Sequence, residues 1–191
     1  MVLAYHIVFT TYGFWLPNDP RGSWSRYIGS RKVLRHGRAT KVTTRRSVAH
    51  VAHNRQARRA AKGALEHSPV RFTGRQALAV AHGFDRARTE GDYTVHACAI
   101  LPEHVHLVIG RHQRRIDRIA AHLKGRATQQ LSIEKVWLRD ECPVWTERFW
   151  KVYLNTDDDV DRAVRYTYNN PRKENKPRQA WSFVTPYHPF I

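Results

Sequence analysis

His104 and His106 stand one residue apart in ILPEHVHLVIG, residues 100–110, a run whose other members are those of a buried strand. In an extended chain residues i and i+2 point to one face, so the two imidazoles emerge together with Val108, while Val105, Leu107 and Ile109 share the other side. At a rise of about 3.3–3.4 Å per residue the two Cα atoms lie roughly 7 Å apart, a spacing from which two rings can converge on one divalent ion. Two neutral ligands leave positions for water, a third side chain and a phosphate oxygen. Two hydrogen-bonded structural histidines fit the same spacing in a chain with 12 histidines.

A second group of reactive types closes the run RYTYNNP, residues 165–171. On a helical wheel Val160, Ala163, Val164 and Thr167 define an apolar face, and Arg162, Tyr166 and Asn170 fall along one flank of it. A guanidinium, a phenol and an amide thus share an edge. A phenol can attack a phosphodiester and hold the cut end as a phosphotyrosine, conserving the bond for rejoining. Its ordinary pKa near 10 calls for help, which an ion neutralising the phosphate supplies. Asn170, one turn beyond Tyr166, can offer that ion its amide oxygen. A packed tyrosine before a helix-ending Asn-Pro is the plain alternative for this stretch.

The elements that must carry these groups are legible in outline. Residues 2–12 alternate as a first strand, and GFWLPNDPRGSWSRYIG follows as an ordered loop. A helix is expected over about 45–62, and Thr73 caps another over about 74–89, with Ala77, Val80, Ala81 and Phe84 as its apolar stripe. Residues 92–100 and 104–110 read as an antiparallel hairpin around Leu-Pro-Glu. Ile116, Ile119, Ala120, Leu123 and Ala127 define an amphipathic helix over 114–132, with Arg114, Arg115, Arg118, Lys124 and Arg126 around its other side. VWTERFWKVYLN ends in a short strand-like run. Thr156 with the acids after it opens a last helix through about residue 169, which Pro171 is expected to stop by biasing Asn170 out of the helical region. Trp181 and Phe183 are expected to anchor the basic, Pro-rich tail at about 172–191. Strands and helices mix without a regular βαβ repeat, so the expected class is α+β: an antiparallel sheet with helices packed on one face.

Composition points to the partner. Against 16 Asp+Glu stand 33 Lys+Arg, a net charge of +17, and 25 of the bases are Arg. Arg presents a planar fork suited to phosphate oxygens and to stacking on bases, so the polyanion is expected to be nucleic acid. Residues 20–65 carry 13 Lys+Arg and no Asp or Glu, where a merely solvated helix would interleave acids. Two distant cysteines make neither a disulfide framework nor a zinc knuckle. No apolar run reaches membrane-spanning length, and the N-terminal stretch has no signal-peptide pattern, so a soluble, cytoplasmic single domain over 1–191 is expected.

Taken together, ILPEHVHLVI at 100–109, HLKGRATQQL at 122–131, VWTERFW at 144–150, YTYNNPRKE at 166–174 and AWSF at 180–183 resemble the single-tyrosine HUH transposases, in particular the REP-associated tyrosine transposases. The resemblance runs from YHIVFTTYG to Phe183. It implies a ferredoxin-like sheet with the His pair on a central strand and a tyrosine on a late helix packed across it. It further implies cutting and rejoining of single-stranded DNA beside a hairpin through a 5′-phosphotyrosine, with Mg²⁺ or Mn²⁺ held by the histidines. Residue by residue, His104 and His106 match the metal pair, Tyr166 the nucleophile, and Asn170 the polar ligand one turn later. Tyr168 falls two residues too late, on another side of the wheel. Glu103 stands where relatives usually have Asn, and an Asp-His pair common in relatives near Lys151 and Val152 is absent.

The expected phosphate contacts are Arg114, Arg115, Arg118, Lys124 and Arg126 on one helix, and Arg162, Arg165, Arg172 and Lys173 around the tyrosine. The basic segment at about 20–65 is expected to be a DNA-clamping elaboration. A monomer and a homodimer exchanging the tyrosine helix both fit. The alternative function is a domesticated protein that binds hairpin or repeat DNA without cutting it. An RNA-binding module would show strand aromatics at RNA-recognition spacing, and none is legible.

Overall fold

The computed structural model describes residues 1–19, 30–37, 52–137 and 142–188. Alternating β-branched and aromatic residues form β1 (Ala4–Thr10). Two short helices follow, α1 (Arg31–Leu34) and α2 (Arg55–Gly63), then the long α3 (Gly74–Gly91). Thr73 and Gln76 close a reciprocal capping box at the start of α3, and Asp92 ends it in the left-handed conformation at φ 55°. The hairpin β2 (Val95–Ile100) and β3 (His104–Gly110) leads to α4 (Ile116–Ile133), β4 (Trp150–Leu154) and α5 (Asp157–Lys173).

The four strands make one antiparallel sheet in the order β2-β3-β1-β4. With α3 and α4 as the connections, this is the β-α-β-β-α-β ferredoxin-like arrangement. β3 is an inner strand, with β2 on one side and β1 on the other.

Alternation along the strands builds two cores. Ile7, Phe9, Val105, Leu107 and Ile109 join Val80 and Phe84 of α3 and Ile119 and Leu123 of α4. Here α3 and α4 approach so closely that a Cβ on Gly83 would lie 2.5 Å from the backbone of Ala127. On the opposite face Ala4, Ala97, Val108 and Leu154 meet Val160 and Ala163 of α5. Thus the helices expected on one face are divided: two lie on one side and α5 on the other. The reason is compositional. β3 carries Val105, Leu107 and Ile109 on one side but Val108 and two histidines on the other, and both sides need cover in an inner strand.

The last helix also differs from expectation. It continues through Pro171 to Lys173, because Pro171 and Asn170 are buried and the Pro171 carbonyl accepts from the backbone N–H groups of Glu174 and Lys176, both at 3.0 Å. Three acids in its first turn and Arg172 and Lys173 in its last complement the helix dipole. Arg114 and Arg115 precede α4 rather than lying in it.

The tail runs beside β2. The Gln179 amide bonds the N–H and C=O of Ile100, both at 2.7 Å, and Val184 pairs with Val95. Phe183 is buried in the larger core and Trp181 packs against it. Cys98 and Cys142 are both buried. Of the basic segment, Val33 and Ala61 form a small core with Leu16, and Arg58 pairs with the buried Asp19 at 3.2 Å. Residues 20–29 and 38–51 of that segment, including the first half of the helix expected over 45–62, lie outside the described residues. Among the described residues no helix is long and apolar enough to cross a membrane.

Candidate active site

β1 and β3 pair so that Val8 faces His106, Thr10 faces His104 and His6 faces Val108. His6 is therefore a diagonal neighbour of His106 on the same face, within reach of a side-chain contact. Its Nε2 lies 3.2 Å from Nδ1 of His106, a hydrogen bond in which one ring N–H donates to the other ring's lone pair. The His104 and His106 centroids are 5.0 Å apart, so the pair converges. His6 and His106 are only 7% and 6% exposed, because α5 covers the face they share. Burial holds His6 near pKa 4 and pushes His106 well below the usual imidazole range, helped by the charges of His104, His6 and Lys173. Both rings are neutral at pH 7.

From α5, Tyr166 sets its ring edge-on to both, 5.5 Å from His106 and 5.8 Å from His6 between centroids. Burial raises the phenol's pKa, and a hydrogen bond from Asn170 opposes the rise by favouring the phenolate. Asn170 is 5% exposed. The Lys173 ammonium sits 3.8 Å over the Tyr166 ring, two turns along the helix, and its pKa is lowered by burial. Trp150 meets His6 edge-on at 5.1 Å, and Phe14 lies 5.3 Å from His104. Glu174 Oε1 is 4.0 Å from His104 Nδ1.

Tyr168 is placed elsewhere. It is 46% exposed, with the Arg178 guanidinium 4.5 Å over its ring. Glu103 turns away from the histidines to pair with Arg71 at 2.6 Å, while its carbonyl accepts from Thr11. Lys151 pairs with Asp117 at 2.7 Å, joining β4 to the start of α4.

The sequence matches no model of a known protein family and no curated protein. Its fold does find counterparts. A solved structure of a REP-associated tyrosine transposase bound to a REP hairpin is 14% identical and has a TM-score of 0.50, the match covering 95% of this chain and 74% of that one. The chain shares the fold of that structure. A Deinococcus radiodurans R1 protein provisionally called a transposase is 14% identical with a TM-score of 0.43, over 94% of each chain.

On this fold the expected phosphate-binding residues divide between the two sides of the sheet. Arg162, Arg165 and Lys173 line an open groove on α5 together with Tyr166, Asn169 and the carboxylates of Asp158 and Asp161. Arg162 and Arg165 are exposed and paired with Asp159 at 2.6 Å and Asp161 at 2.5 Å, and Arg172 is exposed in the last turn. The α4 group lies across the sheet from Tyr166. Arg115 and Arg118 are exposed there, whereas Arg114 donates to the Tyr93 hydroxyl at 3.0 Å and Arg126 to Glu90 at 2.6 Å. Lys124 turns inward. Its ammonium donates to the carbonyls of Thr146 at 2.8 Å and Glu147 at 3.3 Å and packs over Phe9 and Phe149, so it braces the loop before β4 and is not presented to a phosphate.

His104, His106 and Asn170 offer two imidazoles and an amide oxygen, a donor set that suits a divalent first-row ion. Among the described residues no three or more His, Cys, Asp or Glu side chains form a closed cage. An ion held by these donors would need water or phosphate oxygens to complete its shell.

His6, Trp150 and Phe14 are site residues that the sequence reading missed. For His6 a signal was present: AYHIVFT places a histidine at an alternate position of a strand, as HVH does.

Proposed function

We propose that this protein is a metal-dependent single-stranded DNA endonuclease and strand transferase that acts beside hairpins through a 5′-phosphotyrosine. The observation that carries this reading is the meeting of Tyr166 with the His104/His106 face, with Asn170 and Lys173 on the phenol. In the step proposed, the Tyr166 oxygen loses its proton and attacks phosphorus. The bond from phosphorus to the 3′ oxygen breaks, and that oxygen takes up a proton to leave as a 3′-hydroxyl. Rejoining reverses these moves at another 3′-hydroxyl, so no oxidant or external energy is required.

Asn170 donates to the phenolic oxygen, and the Lys173 ammonium favours negative charge on it; together they offset the burial that raises its pKa. His104, His106 and the Asn170 oxygen would hold Mg²⁺ or Mn²⁺, which neutralises the phosphate and eases ionisation of the phenol. Arg162, Arg165, Arg172 and Lys173 would track the DNA backbone next to the nucleophile, with Arg115 and Arg118 offering a second contact across the sheet. The hairpin seen on the REP-associated transposase of the same fold supports the substrate class.

The test uses 5′- and 3′-labelled single-stranded hairpin oligonucleotides from the protein's own genomic neighbourhood, with Mn²⁺. The native protein is expected to nick and to retain label covalently, and Tyr166→Phe to do neither while still binding. Binding without any nick would leave the non-cleaving DNA-binding reading in its place. A nick lost in Tyr168→Phe but kept in Tyr166→Phe would move the nucleophile.

A further inference from the structure

His6 has no role in the chemistry above, yet it makes the one side-chain hydrogen bond described for His106, Nε2 to Nδ1 at 3.2 Å. Two neutral imidazoles so placed share a single proton, and the two ways of sharing it have opposite consequences. With the proton on His106 Nδ1, the His106 Nε2 carries a lone pair and can bind an ion. With the proton on His6 Nε2, His106 Nδ1 accepts, its own proton sits on Nε2, and that nitrogen cannot ligate.

We infer that His6 is a positioning residue: its Nε2 accepts the N–H of His106 Nδ1 and so holds His106 in the tautomer whose Nε2 is ready for a metal. The inference rests on the proposed nuclease reading and extends it to a residue outside the ligand set. The tautomer follows from ligation through His106 Nε2, and three observations hold in place the hydrogen bond that would select it. The two rings lie nearly parallel, 26° apart with centroids at 5.4 Å, and both are buried, so water does not compete for the bond. The His6 ring is gripped edge-on by Trp150 at 5.1 Å and by Tyr166 at 5.8 Å, which keeps its nitrogen in place. Placement on an inner strand, diagonal to its partner, fixes both backbones by the β1–β3 ladder. Partners of this kind orient ligating histidines and make them better donors.

The decisive experiment reads the tautomer directly, by two-bond ¹H–¹⁵N correlation of the histidine rings in the metal-free protein at pH 7.5. His106 is expected as the Nδ1–H form. His6→Leu is expected to convert it to the Nε2–H form or a mixture, and His6→Gln, whose amide oxygen can accept the same bond, to retain Nδ1–H. Mn²⁺ binding followed by calorimetry is expected to weaken about 10- to 100-fold in His6→Leu and to stay within about threefold in His6→Gln. Finding native His106 as Nε2–H overturns the inference, and so does a His6→Leu variant with both spectrum and Mn²⁺ affinity unchanged. The native spectrum needs no variant, so a poorly folding mutant does not remove the test. If the native protein neither binds Mn²⁺ nor nicks hairpins while the Nδ1–H form and its loss in His6→Leu are observed, the nuclease reading fails and the positioning of His106 by His6 stands.

Discussion

On one face of the sheet Ile7, Phe9, Val105, Leu107 and Ile109 meet the apolar stripes of α3 and α4, and a charge that reaches in from α4, Lys124, caps two carbonyls. On the other face, a single residue away along the same strands, His6, His104 and His106 meet a helix that brings a tyrosine, an amide and an ammonium. The first face has the composition of a structure maintained by packing. The second buries groups that titrate, hydrogen-bond and ligate, at a cost in desolvation that an apolar set of the same size would not carry. What the contrast teaches is that strand alternation lets one sheet keep apolar packing and a cluster of reactive side chains one residue apart.

Breaking the packing face should cost the most. Phe84 is fully buried and meets Phe9 edge-on at 5.8 Å, so Phe84→Ala is expected to lower unfolding free energy by about 3–5 kcal/mol in urea titration. Activity per folded molecule should change little.

Next in size is a titration that separates the faces. His6 has a pKa of about 4 when folded against 6.5 in the unfolded chain. As pH falls through that window the unfolded chain binds protons the folded chain refuses, so stability drops by about 3 kcal/mol from this group. Lys124 shows the same sign at the alkaline end: its pKa is about 8 when folded and 10.5 when not, so stability rises as pH climbs between those values. His6→Gln should make the acid limb shallower without removing it, because His106 keeps a depressed pKa, and Lys124→Met should flatten the alkaline one, each leaving the other limb intact.

Smaller still is Tyr166→Phe, which loses one hydrogen bond and keeps the ring packing. Denaturation should shift by about 1 kcal/mol, while any nicking disappears. Smallest is Glu103→Gln. Its partner Arg71 is largely exposed, so thermal unfolding should register less than about 1 kcal/mol and Mn²⁺ affinity should not move.

Much of this was legible before any coordinates. The 104–110 strand, the Thr73 and Thr156 caps and the shared flank of Tyr166 and Asn170 follow from periodicity and capping chemistry, which are local rules. What escaped depends on tertiary contact. Nothing within β3 says that α5 will cover its histidine side, so of the two imidazoles read as facing away from the core His106 proves buried and His104 half-buried. His6 becomes a partner of His106 only once β1 and β3 pair in register. Lys124 reads as a surface cation on a helical wheel, but the carbonyls of Thr146 and Glu147 that draw it inward belong to a loop more than twenty residues away. Pro171 obeys its usual rule weakly because burial holds the last turn together.

The central claim is that Tyr166 is the residue that becomes joined to DNA. Its most direct test is peptide mapping by mass spectrometry after reaction of the full chain with a single-stranded hairpin oligonucleotide and Mn²⁺. The account predicts a 5′-phosphorylated oligonucleotide remnant on the peptide containing Tyr166, at that side chain, and none in Tyr166→Phe. A remnant on Tyr168 or another residue, or cleavage that leaves no covalent adduct under quenched conditions, would contradict it.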